Sequence, residues 1–203
     1  EWKNFYPINS DKKKHLRKKL YFREDSVIIL YAGAINKRKG IIDLLEAIKH
    51  LTIQQNCTFV FCGPILEEIN FLTILNSINQ SMNNIDVIYR GKVNNIDQYM
   101  KASDIFILPS YSEGLPNVLL EAGATGLPLI ATDIGGSRDI VKNGVNGYLV
   151  PINSPKELSK KISKLVNDQK LRERMGSESI KIIESNFSIE FIAQKYMELY
   201  NNI

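Results

Sequence analysis

The sequence predicts an α/β fold: a doubly wound parallel sheet of about six strands with helices at its carboxyl-terminal end. Two observations predict the sheet. Six short runs are apolar without alternation, as in strands covered on both faces. The segments between them change to helical periodicity, and alternating strand and helix patterns imply a parallel sheet. A third observation predicts the helical end, because no strand-like run follows Pro151.

Val27-Ile28-Ile29-Leu30-Tyr31 reads as the first buried strand. Ile41, Leu44, Leu45, Ile48 and Leu51 then follow the i, i+3, i+4, i+7 spacing of an amphipathic helix. Thr58–Cys62 is the second strand, and Leu66, Ile69, Leu72 and Leu75 mark a second helix. Val87-Ile88-Tyr89, Ile105–Leu108, Leu129–Thr132 and Tyr148-Leu149-Val150 supply the remaining strands. Gly144-Val145-Asn146-Gly147 reads as the turn into the last of them. Residues 155–201 read as successive helices, with breaks near Asp168-Gln169 and Ser185-Asn186 and with Leu158, Ile162, Leu165 and Val166 on one face.

The 203 residues fit one large domain, and 44% hydrophobic with 24% charged residues excludes a disordered or collagen-like chain. No stretch approaches the roughly 18 consecutive apolar residues of a membrane-spanning helix. The chain opens Glu1-Trp2-Lys3-Asn4, with neither a starting Met nor a signal segment, which suggests a piece of a longer protein. Cys57 and Cys62 are an odd number of positions apart on one strand, so their side chains face opposite ways and cannot pair. Two buried thiols suit a reducing cytoplasm.

Charge is uneven. Residues 1–50 hold twelve Lys+Arg against six Asp+Glu, for +6, and the remainder holds 14 against 16, for −2. Much of the excess is the cluster Lys12, Lys13, Lys14, Arg17, Lys18 and Lys19. A solvated helix face is the expected role, with peripheral contact at an anionic inner membrane face as the alternative.

In such sheets ligands bind at the carboxyl ends of the strands, so the loops there carry the functional reading. Gly33-Ala34-Ile35-Asn36-Lys37-Arg38-Lys39-Gly40 sets three consecutive cations at a helix start. Free amides and the helix dipole favour an anion there, and a lysine can reach a phosphate. A polar turn with solvated lysines is the alternative. The Lys precedes Gly40, so the loop is not a P-loop, and the chain contains no G-x-G-x-x-G dinucleotide fingerprint.

The stretch after the fourth strand is richer: Pro109-Ser110-Tyr111-Ser112-Glu113-Gly114-Leu115-Pro116-Asn117-Val118-Leu119-Leu120-Glu121-Ala122. Pro116 fits a first helical turn, which leaves the amides of Asn117 and Val118 as a cradle for phosphate oxygens. Glu113 lies in the loop and Glu121 on the helix, and carboxylates accept hydrogen bonds from paired sugar hydroxyls. Ordinary surface glutamates are the alternative for each taken singly. Asp133-Ile134-Gly135-Gly136 repeats the pattern of strand, glycine turn and helix.

Together these residues resemble the carboxyl-terminal half of a GT-B glycosyltransferase of the retaining GT4 family. The resemblance covers nearly the whole chain. Its strongest part is the E-x7-E motif from Glu113 to Glu121, in the form Ser-Glu-Gly-Leu-Pro-Asn-Val-Leu-Leu-Glu-Ala. It is framed by Ala102–Ser110 before it and by Gly126-Leu127-Pro128, Asp133–Gly136 and Asn146–Pro151 after it. Phe5-Tyr6-Pro7 and the basic segment after it resemble the family's interdomain linker.

The resemblance implies a Rossmann-like donor-binding domain, residues 1–203, facing an N-terminal acceptor domain that this chain does not contain. It implies a hexosyltransferase-type activity that uses a UDP- or GDP-sugar and a glycan or lipid-linked acceptor, in bacterial surface polysaccharide or glycoconjugate synthesis. It carries Lys39 to the diphosphate and Glu113 to the donor sugar, these two being the catalytic candidates. Gly114, Leu115, Pro116, Asn117 and Val118 fall near sugar and phosphates, Glu121 at the ribose hydroxyls, Lys92 and Val93 beside the base. Gly33 ends the first strand, where the family commonly continues with an Arg that pairs with the Lys; here Ala34 follows, with Arg38 as the candidate replacement. No D-x-D pair occurs, so no metal or other cofactor is expected, and nothing points to nucleic acid. A non-catalytic sugar-nucleotide-binding module and a sugar-nucleotide epimerase are the alternatives.

Overall fold

The computed structural model describes residues 3–67 and 70–201. Six strands form one all-parallel sheet: β1 (Val27–Ala32), β2 (Cys57–Cys62), β3 (Ile85–Gly91), β4 (Ile105–Leu108), β5 (Leu129–Thr132) and β6 (Gly147–Val150). Their spatial order is β3-β2-β1-β4-β5-β6, so the winding direction reverses between β1 and β4. Such a reversal opens the crevice in which doubly wound sheets place ligands.

Side chains of β1 alternate between two cores, as a strand buried on both faces requires. Val27, Ile29 and Tyr31 join one core with Ile41, Leu44 and Ile48 of α2 (Ile41–Lys49) and with Leu158 and Ile162 of α7 (Pro155–Asn167). Ile28, Leu30 and Ala32 join the other, with Met100 of α4 (Ile96–Ala102) and with Leu119 and Leu120 of α5 (Asn117–Ala124). Each fully buried aliphatic side chain contributes about 1.5–3 kcal/mol, so the two layers supply most of the driving force. Cys57 lies in the first core and Cys62 in the second, both free. Burial pushes both thiols up to about 12, which leaves them unreactive near neutral pH.

All six expected strands are present, with β2 and β6 one residue longer at their starts, β1 one longer at its end and β3 two longer at each end. Three helical expectations need correction. Helix α2 ends at Lys49, so Leu51 lies beyond it, partly buried against the core. In α3 (Phe71–Ser81) the buried stripe is Phe71, Leu75 and Ile78. Leu66 lies in the preceding loop, exposed, Leu72 is half exposed, and Ile69 falls outside the described residues. The aromatic ring sets this register: Phe71 meets Phe61 edge-on at 5.4 Å and Tyr89 at 5.5 Å. The last break falls at Ser188, between α8 (Gln169–Phe187) and α9 (Ile189–Asn201), where the serine hydroxyl accepts from the Phe191 amide at 3.2 Å. The break at Asp168 is as expected, its carboxylate accepting from the Leu171 amide at 2.9 Å.

The basic cluster also needs correction for two of its members. Helix α1 (Ser10–Lys19) buries no side chain completely, and ionic contacts dock it. Lys13 Nζ donates to Asp104 Oδ1 (2.7 Å) and to the Ser103 carbonyl (2.6 Å). Arg17 donates to Asp104 Oδ2 (2.5 Å) and to the Ala102 carbonyl (2.9 Å). Asp104 Oδ2 also accepts from the Ile28 amide at 2.8 Å, which ties α1 to the starts of both central strands. Burial alone would raise the Asp104 carboxyl, but Lys13 and Arg17 outweigh it and hold it below the usual range.

A carboxyl that titrates lower folded than unfolded stabilises fully above about pH 4, and that stabilisation fades as pH falls through the depressed folded value. Asp104→Asn is therefore expected to cost about 3 kcal/mol at pH 7, with the gap to wild type narrowing at pH 3. Urea unfolding at the two pH values checks both statements; an equal cost at both contradicts the ionic account.

Candidate functional site

Because β4 pairs directly with β1, the loops leaving their carboxyl ends emerge side by side. The β1 loop begins at Gly33 and Ala34, where the Tyr31 hydroxyl donates to the Ala34 carbonyl at 2.7 Å. Asn36 Oδ1 accepts from the Lys39 amide (2.9 Å) and closes a single 3-10 turn over Lys37–Lys39. Gly40 follows in the left-handed region, φ 69°, and admits the chain to α2. A Cβ on Gly40 would lie 1.8 Å from the Pro109 carbonyl oxygen, so the two loops approach as closely as backbone allows.

The β4 loop is held against this turn. The Tyr111 amide donates to the Arg38 carbonyl at 2.9 Å, and Thr132 Oγ1 bonds the Ser110 carbonyl from β5. Further on, a Cβ on Gly136, in the first turn of α6 (Gly135–Ile140), would lie 1.8 Å from the Gly114 carbonyl oxygen. Loops from β1, β4 and β5 thus pack as one unit.

Within that unit Lys39 Nζ lies 2.6 Å from Glu113 Oε1, joining two residues 74 positions apart. Both side chains are less than one-fifth exposed, so their attraction is screened far less than that of a surface pair. The two catalytic candidates are therefore neighbours.

Pro116 sits one position earlier than expected, as the residue before α5 (φ −75°, ψ 96°). Asn117 and Val118 are then the first two helical residues, whose amides have no intrahelical acceptor. Asn117 and Leu115 are exposed, as is Gly114. Glu121, on α5, is half-buried, and that burial raises its carboxyl above the usual range.

The Arg38 side chain is exposed. Lys92, also exposed, and Val93, packed on the α4 core, follow β3, two strands from β1.

Sequence reasoning missed the residues that hold the loops. Tyr31 needed a partner for its hydroxyl at the end of a buried strand, which was a usable signal. The Tyr111 phenol is pushed up to about 12, chiefly by burial and then by the neighbouring Asp43, and nothing local in the sequence indicated that proximity. A cavity of about 590 Å³ at the amino ends of the strands, lined by Lys13, Arg17, Asp104 and Arg172, surrounds the ionic docking of α1. It lies at the other end of the sheet from the loops. Among the described residues no three His, Cys, Asp or Glu side chains cluster as metal ligands, and no helix is long and apolar enough to cross a membrane.

A parallel sheet in this order, with loops converging on its reversal point, defines the class of doubly wound α/β domains. Residues 12–182 match the family described as glycosyl transferases group 1, and the chain belongs to that family. It is 32% identical over 183 residues to the capsular polysaccharide biosynthesis glycosyltransferase CapM of Staphylococcus aureus, a match covering 87% of this chain and 46% of CapM. The chain spans about half the length of the curated relatives it matches. Among solved structures it is similar to the C-terminal domain of LpcC, a glycosyl transferase group 1 protein of Francisella tularensis, with TM-score 0.81 and 25% identity. That match covers 93% of this chain and 98% of the other. It also resembles Anabaena HepE, solved in complex with UDP-glucose, with TM-score 0.80 and 23% identity over 98% of this chain and 55% of HepE. The second likeness concerns the fold alone.

Gly40→Ala is expected to cost about 2–4 kcal/mol, from the left-handed backbone and the contact with Pro109 together. Urea unfolding measures it; a loss under about 0.5 kcal/mol would mean that the loops are not locked at this point.

Proposed function

We propose that the chain is the C-terminal, donor-binding half of a glycosyltransferase. The reaction moves a sugar from a UDP- or GDP-sugar to a glycan or lipid-linked acceptor with retention of anomeric configuration, in the synthesis of a bacterial surface polysaccharide or glycoconjugate. An N-terminal half presents the acceptor. The observation that carries this reading is the Lys39–Glu113 pair at the reversal point of the sheet, beside the start of α5.

As the glycosidic bond breaks, negative charge grows on the departing diphosphate. Lys39 and the amides of Asn117 and Val118 supply cation and helix-start donors to that charge without moving the backbone. Gly33, with no side chain, and the backbone of Gly114, Leu115 and Pro116 line the approach for diphosphate and sugar. Glu113 accepts hydrogen bonds from sugar hydroxyls, and Glu121 from the paired ribose hydroxyls. Half-burial raises the cost of the Glu121 charge, which those hydroxyl bonds offset. Arg38 adds a cation from the exposed side, and Lys92 and Val93 border the base. Holding nucleoside and diphosphate at separate points fixes where the anomeric carbon lies.

The chemistry needs no divalent ion in this reading, because lysine and helix-start amides meet the diphosphate charge. The absence of a D-x-D pair supports it. A second reading, a non-catalytic sugar-nucleotide-binding module, is favoured by one observation: Ala34 offers only a methyl group at the end of β1, where a second cation would be useful. Transfer or hydrolysis of a nucleotide sugar by the full-length protein excludes it. Binding without turnover, with acceptor supplied, favours it.

Lys39→Ala is expected to weaken UDP or GDP binding about tenfold or more, the loss of a charge-assisted contact, and to leave uridine or guanosine binding within about twofold. Calorimetry with the four compounds checks this; equal losses for nucleotide and nucleoside remove Lys39 from the phosphates. Calorimetry repeated in EDTA is expected to give unchanged affinities, and binding that vanishes until Mg²⁺ or Mn²⁺ is restored contradicts the metal-free reading.

A further inference from the structure

We propose that Glu113 selects the sugar-bearing donor against the bare nucleoside diphosphate, by competing with the diphosphate for Lys39. The inference rests on the donor-site reading above and adds a discrimination step to it.

The Lys39–Glu113 pair is a short, charge-assisted bond at 2.6 Å. Backbone contacts anchor both ends. Lys39 is anchored by Asn36 and by Gly40 against Pro109, while the Glu113 loop is anchored by Tyr111 on Arg38 and by Gly136 against Gly114. A diphosphate that engages Lys39 therefore replaces Glu113 by side-chain rotation alone, and it brings further negative charge beside a carboxylate that is little exposed.

The displaced carboxylate needs another donor, because a poorly hydrated charge without a hydrogen bond is costly. Tyr31 is close enough for Glu113 to influence its ionisation, but its single hydroxyl hydrogen is committed to the Ala34 carbonyl. Ala34 itself has no polar side chain, the Arg38 side chain is exposed, and the unpaired Asn117 and Val118 amides are taken by the diphosphate in the donor-site reading. Sugar hydroxyls supply the missing donors. A nucleotide sugar therefore brings its own replacement for the Lys39 contact, and a bare diphosphate does not. After transfer the product is left facing Glu113 without compensation, and the carboxylate reclaims Lys39 as the nucleotide departs.

The test is calorimetry with UDP, UDP-glucose, GDP and GDP-mannose on wild type, Glu113→Gln, Lys39→Ala and the double variant. Gln keeps the shape and removes the charge. Whichever nucleoside diphosphate the wild type binds, Glu113→Gln is expected to bind about tenfold tighter. Its preference for the matching nucleotide sugar should fall by at least as much. In the Lys39→Ala background the same substitution should change diphosphate affinity by less than about twofold, since the competition has gone. Glu113→Ala, expected to shift diphosphate binding in the same direction, serves if the Gln variant fails to fold. A wild type that binds diphosphate while neither Glu113 variant binds it tighter overturns the discrimination and leaves the donor site standing. A wild type that binds none of the four compounds overturns both.

Discussion

The contact between Gly40 and the Pro109 carbonyl is the constraint on which the rest of the site depends. It exists because the sheet reverses its winding between β1 and β4, so that two loops from distant parts of the chain leave adjacent strands in parallel. A residue with a Cβ would force those loops apart. With glycine there, the backbones meet, Tyr111 bonds Arg38, and the side chains of Lys39 and Glu113 fall within hydrogen-bonding distance. The chemistry is thus a consequence of topology before it is one of side chains. Gly136 repeats the device against Gly114 and brings the β5 loop into the same unit.

The charges of the amino-terminal quarter divide by depth. Lys13 and Arg17 spend theirs on Asp104 and the ends of the central strands, which fixes α1 to the sheet. Lys39 is held by one carboxylate at the opposite end, in a loop with helix-start amides nearby. Both arrangements bury ionic groups only partly, and both depend on having every partner present. They differ in consequence: the Asp104 cluster also bonds strand backbone and is structural, whereas in the proposed reading the Lys39 pair gives way to a diphosphate.

Much of the fold was legible because strands buried on both faces leave a plain mark, an unbroken apolar run, and all six runs became strands of the sheet. Helix stripes were less legible where tertiary packing chose among several apolar residues. Phe71 won over Leu66 because its ring reaches Phe61 and Tyr89, contacts that no local pattern encodes. In the site, glycine, proline and the two glutamates announced the β4 loop, and the three cations announced the β1 loop. That Lys39 touches Glu113 was not legible, since it depends on β4 pairing with β1 rather than with β3. For the same reason Lys13 and Arg17 read as part of a solvated face, their partner Asp104 lying some ninety residues away in sequence.

The most direct test of the central claim, that the loops at the carboxyl ends of β1 and β4 form a donor site around Lys39, is a crystal structure of the chain with a bound nucleotide sugar. The account predicts a diphosphate oxygen within hydrogen-bonding distance of Lys39 Nζ, the Glu113 carboxylate turned to the sugar, and the Asn117 and Val118 amides facing the phosphates. A ligand seated instead at the amino ends of the strands, with the Lys39–Glu113 bond intact, would contradict it.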